Sequence, residues 1–480
     1  MARSKDFVAD FAAAVGNDTL PQVSWLVGPT LLSEHATNHP ADGEDLTARL
    51  LKVLGDPANA KVFEKTVFIL NYDEGGQFFD HLWTPVPPKN AAEGASTVTA
   101  VGELTTESIQ TVPAGNPIGL GFRVPFFAVS PWSRGGYVYS EVSDHTSVIK
   151  FIEKRFGVHC PNISPWRRAV VSDLTAAFDF TAPDFSPWAP MPDTSANVNT
   201  SKKECETLPA PTLPQVQSMP QQEPGTRPSR ALPYRFEMTM TAKATPAGAD
   251  LTFTVVNSGS VGVVIFMYDR VDASSTTPLK YTVEGGKTLS SVVSVSTGSR
   301  YGYSAHGPNG FVRQFMGVAK APTGSAMVNC NGEAVVISMV SLSAASLTYN
   351  LTDNAYGGGS VTATVGKGVS THSFNVVSSA GWYDISVGNG VEGWRFMGRV
   401  DSGKPTTSDP AVSSGRAPTA LPAVGFPVGM EGYSSVYGES HSDTPHWYRT
   451  GVKKWDMAAL CRTERSKHKD HCTVVRNDEL

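Results

Sequence analysis

Apolar residues along this chain follow one spacing over the first 182 positions and another beyond residue 230. Phe7, Val8, Phe11, Ala12 and Val15 recur at helical intervals and predict an amphipathic helix at the start. "QVSWLVGP" at 22–29 predicts a strand, and "GEDLTARLLKVLGD" at 43–56 a helix. The near-continuous apolar runs "KTVFILNY" at 65–72 and "FRVPFFAVSPW" at 122–132 suit strands covered on both faces. "SDHTSVIKFIEKRFG" at 143–157 predicts a capped helix with Val148, Ile149, Ile152 and Phe156 on one face. Strands alternating with helices imply a mainly parallel sheet between helix layers.

Residues 183–230 are rich in proline, serine and polar side chains without a period, which predicts a semi-extended linker. Alternation with period two then takes over, and it repeats. "LTFTVVNSG" at 251 matches "LTYNLTDNA" at 347, and "YGYSAHGPNGFVRQFMG" at 301–317 matches "YDISVGNGVEGWRFMG" at 383–398. Two copies, 231–322 and 323–411, predict two separate, superposable antiparallel β-sandwiches, with the matched Arg–Phe and Phe-Met-Gly positions in a shared type of core. Residues 412–480 fit neither copy; "CRTERSKHKDHC" is charged and aperiodic, which suits a solvated segment.

Composition narrows the function classes. A net charge of −5, from 39 Lys+Arg against 44 Asp+Glu, gives no basic field for nucleic acid. No apolar run reaches the ~18 residues of a membrane-spanning helix. The five cysteines are too scattered for a disulfide framework. The first 20 residues lack the apolar region of a signal peptide, and the final Asn-Asp-Glu-Leu is only weakly like an endoplasmic-reticulum retention signal. Asn17, Asn162, Asn199 and Asn350 stand in glycosylation sequons, relevant only to a chain secreted by a eukaryote.

Candidate chemistry begins at "ILNYDEGGQFFDHLW". Ligands of an open α/β sheet bind beyond the carboxyl ends of its strands, where Asp73 and Glu74 fall, with Gly75 and Gly76 turning the backbone away. Neighbouring carboxylates repel, and a divalent cation would relieve that; two solvated acids in a strand-end turn are the alternative. His35 in "SEHATNHP", His81 in "FFDHL" and His145 in "SDHTS" also stand in loops that can converge on that end, each equally able to serve as a structural histidine.

Three stretches carry a family resemblance: "LPQVSWLVGPTLLSEHATNHPADGEDLTARLL", "KTVFILNYDEGGQFFDHLWTPVPP" and "GFRVPFFAVSPWSRGGYVYSEVSDHTSVIKFIEKRFGV". They resemble the bacterial phosphocholine-specific phospholipases C, a phosphoesterase family shared with acid phosphatases. "ALPYRFEMTM", "YTVEGGK" and "GPNGFVRQFMG" are similar to that family's C-terminal domain, so the resemblance runs in order over about positions 6–411. It implies an α/β fold: an alkaline-phosphatase-like sheet-and-helix core, C-terminal part only, over 1–182, followed by two tandem antiparallel β-sandwich domains.

The same resemblance implies metal ligation by Asp73 and Glu74, catalytic roles for His35 and His145, and substrate contacts from Asp144 and His81. With oxygen ligands the ion would be Ca²⁺, Mg²⁺ or Mn²⁺. A trimethylammonium head group suits an aromatic cage, for which Trp83, Trp132, Tyr137 and Tyr139 are candidates. The partner is thus a phospholipid head group at a membrane surface, and the full-length form is expected to be secreted or periplasmic.

Two departures stand out. The family's opening Glu-Asn strand and its hydroxyl nucleophile have no counterpart here, which implies a truncated chain that turns over poorly, and the loop reads Glu-His-Ala where the family tends to Glu-His-Pro. An acid phosphatase of the same superfamily, or an inactive lipid- or surface-binding remnant, are the alternative readings.

Overall fold

The computed structural model describes residues 6–35, 38–75, 83–108, 113–209, 223–272, 277–320 and 322–413, with positions 212, 215 and 216. In the first 182 residues, helix α1 (Phe7–Gly16) packs Phe11 and Val15 against Leu46, Leu50 and Leu54 of α2 (Pro40–Gly55). Val62 and Phe63 of the short α3 (Ala60–Phe63) complete this cluster. Proline at the first position of α2 fits its start, since the missing N–H would be unpaired there in any case.

Strands form where the two apolar runs predict them, as β1 (Phe68–Asn71) and β3 (Phe126–Val129), but they run antiparallel. Phe68 faces Val129 and Asn71 faces Phe126 in a two-stranded sheet. The expected parallel sheet is therefore not seen among the described residues. A continuous apolar run reports burial on both faces and carries no information on the direction of its neighbour. "QVSWLVGP" forms no strand, and Trp25 and Val27 are 66% and 76% exposed. Among the described residues no strand pairs with it.

After β3 come α4 (His145–Phe156) and α5 (Pro165–Val170). Val148 and Phe151 of α4 pack on Leu174 and Phe178, whereas Phe156, assigned to the buried face from the sequence, is exposed beneath the Arg155 guanidinium. The linker expectation also needs correction: α6 (Ser195–Thr207) occupies its middle and lies on α2. Polar bonds hold it, with Asn197 Nδ2 donating to Glu44 Oε2 at 2.7 Å and Lys202 paired with Asp42 at 3.1 Å. A helix fixed by polar contacts shows no apolar stripe, so nothing in the sequence pattern announces it.

The rest is β-structure. The short β4 (Pro228–Ser229) is followed by β5 (Phe236–Thr245), β6 (Gly248–Asn257), β7 (Val263–Asp269), β8 (Leu279–Val283), β9 (Thr288–Ser296), β10 (Arg300–His306) and β11 (Val312–Val318). The second copy comprises β12 (Gly324–Asn331), β13 (Ala334–Ser341), β14 (Leu347–Asp353), β15 (Ser360–Val365), β16 (Gly368–Asn375), β17 (Trp382–Gly388) and β18 (Gly393–Arg399). Then β19 (Thr406–Thr407), which pairs with β4, and α7 (Pro410–Ser413) close the described chain.

Both copies use one strand order. In the first, β5-β6-β9 faces β8-β7-β10-β11; in the second, β12-β13-β16 faces β15-β14-β17-β18. Phe253 of β6 meets Tyr303 and Phe315 across the first core at 5.2 and 5.8 Å.

The copies are not separate. Their last strands pair, β11 with β18, so that the two four-stranded sheets and β2 (Gly94–Ser96) make one nine-stranded sheet over one continuous core. The matched Phe-Met-Gly motifs lie on these two strands, and the equivalent positions Gln314 and Arg395 stand opposite each other. The motif thus forms the seam between copies as well as part of each core.

Arg313 crosses that seam. It is 1% exposed, and all five of its donors are used. Nε and Nη2 pair with the Glu237 carboxylate at 2.6 and 2.7 Å, Nη2 also donates to the Tyr383 hydroxyl, and Nη1 donates to the Val312 and Met397 carbonyls. Burial alone would weaken the charge, but Glu237 more than compensates and holds the guanidinium protonated.

β2 fastens the first 182 residues to this sheet by parallel pairing with β8, Ala95 against Tyr281. Only glycine fits at its first position, because a Cβ on Gly94, at φ +136°, would collide with the Lys280 carbonyl. Trp166 of α5, fully buried, donates from Nε1 to Thr282 Oγ1 at 3.0 Å.

His306 at the end of β10 carries a pH consequence. Burial, and secondarily Arg270, pushes its pKa down to about 4. Between that value and the ordinary ~6.5 the unfolded chain binds a proton that the folded one does not, so stability falls as pH drops through this window. The full shift would be worth roughly 3 kcal/mol, and about 2 kcal/mol after discounting for partial exposure. Urea unfolding at pH 7 and pH 4.5 should show a smaller acid loss in His306→Gln than in the parent; equal losses would reject the assignment.

Candidate functional site

Three segments that the sequence separates meet at Tyr72, the residue after β1. Its hydroxyl donates to Glu34 Oε1 at 2.8 Å, and its carbonyl oxygen lies 2.9 Å from His145 Nε2. With the Nε2–H tautomer the imidazole donates to that carbonyl. Burial, reinforced by the neighbouring carboxylate of Glu34, pushes the Tyr72 phenol up to about 12, so it stays protonated and keeps donating.

Each segment is held by its own local structure. Glu34 lies against the first turn of α2, where a Cβ on Gly43 would collide with its side chain. Asp73 and Glu74 continue directly from Tyr72; both are exposed, and Asp73 Oδ1 accepts the Glu74 backbone N–H at 3.0 Å. His145 opens α4, whose start is fixed by a reciprocal cap. Asp144 Oδ1 accepts from Thr146 N and Thr146 Oγ1, while Ser147 Oγ accepts from Asp144 N.

Asp144 is fully engaged elsewhere. Its Oδ2 pairs with Arg167 Nη1, and Arg167 in turn makes bidentate bonds of 2.9 and 2.8 Å to buried Glu103. The carboxylate therefore holds the α4 terminus in place. His145 and His35 are both exposed, on α4 and on the loop beside Glu34.

Each aromatic residue expected to form a cage has another contact in the fold. Tyr137 already has a cation on its ring face, with the Arg230 guanidinium 3.9 Å from the ring centre. Trp132 packs on Phe180, Trp83 is 54% exposed beside Phe266 of the β-region, and Tyr139 is committed to Glu141 by a 2.9 Å hydrogen bond. His81 lies outside the described residues.

A divalent ion needs more donors than this arrangement supplies. Among the described residues no group of three or more His, Cys, Asp or Glu side chains could hold a metal. Asp73 and Glu74 provide hard oxygen donors suited to Ca²⁺, Mg²⁺ or Mn²⁺, but by themselves they do not form a coordination sphere.

The segments around Tyr72, and the β-region from β4 to β11, each match a known family. Residues 1–159 match the phosphoesterase family, and residues 228–318 match the C-terminal domain of bacterial phospholipase C. The chain is 38% identical to the non-hemolytic phospholipase C of Pseudomonas aeruginosa over 418 residues, covering 83% of this chain and 59% of that protein. It is also 38% identical to the non-hemolytic phospholipase C of Burkholderia pseudomallei, with 83% and 58% covered, and 37% identical to the hemolytic phospholipase C of P. aeruginosa, with 82% and 58% covered.

The class is thus a phosphoesterase-family segment joined to a bacterial phospholipase C C-terminal domain. The chain is a relative of the bacterial phospholipases C and spans somewhat under two thirds of the length of those it matches.

Sequence reasoning proposed Asp73, Glu74, His35 and His145 as site residues and did not single out Tyr72, which bonds both Glu34 and His145. Tyr72 sits directly before the acid pair and Glu34 directly before His35, so adjacency was the available signal. Arg167 and Glu103, which hold the α4 terminus, are far apart in sequence and carry no motif.

Proposed function

We propose that this chain serves phospholipase C-type phosphodiester hydrolysis, cleaving phosphatidylcholine or sphingomyelin to phosphocholine and diacylglycerol or ceramide. The observation that supports it is the junction at Tyr72, which links the Ser-Glu-His loop, the Asp-Glu pair and the Asp-His-Thr-Ser helix start into one polar surface. The family's divalent ion would draw on Asp73 and Glu74, with further donors from outside the described residues.

Within this reading His35 and His145 handle protons at the leaving oxygen, and the Asp144–Arg167–Glu103 chain fixes His145 at the helix start. A phospholipid substrate calls for access to a membrane surface, which fits a secreted or periplasmic location. No helix among the described residues is long and apolar enough to cross a membrane.

The test compares p-nitrophenylphosphorylcholine with p-nitrophenyl phosphate, with added Ca²⁺, Mg²⁺ or Mn²⁺, in the parent and in Asp73→Ala. Expected is a preference for the choline diester and a loss of at least about tenfold in the variant. Preference for the monoester would move the assignment to an acid phosphatase. Binding to phosphatidylcholine vesicles with no metal-dependent turnover would identify an inactive lipid-binding relative.

A further inference from the structure

The ring of His145 is fixed by the main chain of another segment. A carbonyl oxygen only accepts, so the 2.9 Å contact between His145 Nε2 and the Tyr72 carbonyl places a proton on Nε2. In the neutral ring the other nitrogen, Nδ1, then carries the lone pair. His145 is exposed, and no group among the described residues bonds to Nδ1.

Both ends of this contact are anchored. Tyr72 follows β1, whose last residue, Asn71, lies opposite Phe126. Its N–H donates to the Pro125 carbonyl at 3.4 Å, and its hydroxyl donates to Glu34. His145 is the first residue of α4, and the capping carboxylate of Asp144 beside it is held by Arg167. Neither partner can turn away without breaking bonds elsewhere.

The reverse tautomer would set the Nε2 lone pair against the carbonyl oxygen, so the fold selects one form. That selection survives a change of charge, because Nε2 keeps its proton in the imidazolium as well. The ring holds its place whether or not Nδ1 is protonated.

We propose that Nδ1 is the working nitrogen of His145, that Nε2 serves only to hold the ring, and that Tyr72 is a positioning residue acting through its carbonyl. The inference rests on the phosphodiesterase reading and deepens it by naming the atom. Nδ1 gives a proton to the leaving oxygen as that P–O bond breaks, and the water that forms the new P–O bond restores it. The bond to Tyr72 persists throughout, so no reorientation of the imidazole separates the two transfers.

Long-range ¹H–¹⁵N spectra of the full chain labelled in histidine read the tautomer directly, with the His145 signals assigned by their loss in His145→Gln or His145→Asn. Expected is a protonated Nε2 and, in the neutral ring, an unprotonated Nδ1. Tyr72→Phe keeps the carbonyl and should leave this signature in place. Turnover of p-nitrophenylphosphorylcholine reads the role. Glutamine reaches as far as Nε2 and can donate to the carbonyl, but it has no base at the place of Nδ1. His145→Gln should therefore keep the parental thermal midpoint and lose at least about a hundredfold in kcat, with KM little changed. If it does not fold, the tautomer of the parent decides. An Nδ1–H tautomer, or parental turnover in His145→Gln, would overturn the inference while the phosphodiesterase reading stood. No turnover by the parent with Ca²⁺, Mg²⁺ or Mn²⁺ would remove that reading and the role of Nδ1 with it, whatever the tautomer.

Discussion

Arg313→Ala should destabilise the β-region by about 4 kcal/mol, within the roughly 3–5 kcal/mol seen when one partner of a buried ion pair is removed. The guanidinium spends all five donors on Glu237, Tyr383 and two carbonyls, one of them across the seam on β18. Deleting it leaves a cavity beside Phe311 and Phe396 and takes the cation from Glu237, whose side chain is 29% exposed and so only partly solvated. Pairing Arg313→Met with Glu237→Gln should restore at least half of the loss, because no unpaired charge then remains. Urea unfolding of the single and double variants measures both. A single variant costing under about 1 kcal/mol, or a double no better than the single, would show that the pair is not what holds the seam.

His145→Ala should lower turnover of the choline diester by about 10²–10⁴-fold, the usual contribution of a positioned acid–base group. The histidine also orients the strand end by its contact with the Tyr72 carbonyl, and that hydrogen bond alone is worth about 1 kcal/mol of stability. His145→Asn separates the two duties, since its amide can donate to the same carbonyl but cannot carry a proton at neutral pH. If Asn restores stability and leaves the rate at the Ala level, proton handling is the larger role. If Asn restores both, His145 is a positioning residue and the acid–base assignment passes to His35.

The helices were legible where local rules decide them. Asp144 and Ser147 cap α4, and Gly157 ends it in the left-handed conformation at φ +67°, as the sequence order demands. The repeat was legible too, because period-two alternation records which face each strand buries. Partner identity was not: "QVSWLVGP" is apolar enough for a strand, but pairing depends on a neighbour far away in sequence. The helix at 195–207 stayed hidden for the opposite reason, since it is held by Asn197 and Lys202 and not by apolar packing.

At the site, the acid pair and the histidines stand out in the sequence by type and spacing, and the fold brings the strand end before Asp73 against His145. Aromatic composition does not tell that Arg230 covers the Tyr137 ring. Asp144 shows the same limit: the carboxylate that reads as a substrate contact in a motif also caps α4 and pairs with Arg167 once the chain folds.

The meeting of β11 and β18 places Gln314 opposite Arg395, its own counterpart in the other copy. Each copy thus offers the other the same edge, as two protomers do across a twofold axis. A head-to-tail array could accept a third and a fourth member, but this one uses its joining edge on the first partner. Duplication here ends in a closed internal dimer, and a further copy spliced into the chain would find no free β11-type edge to join.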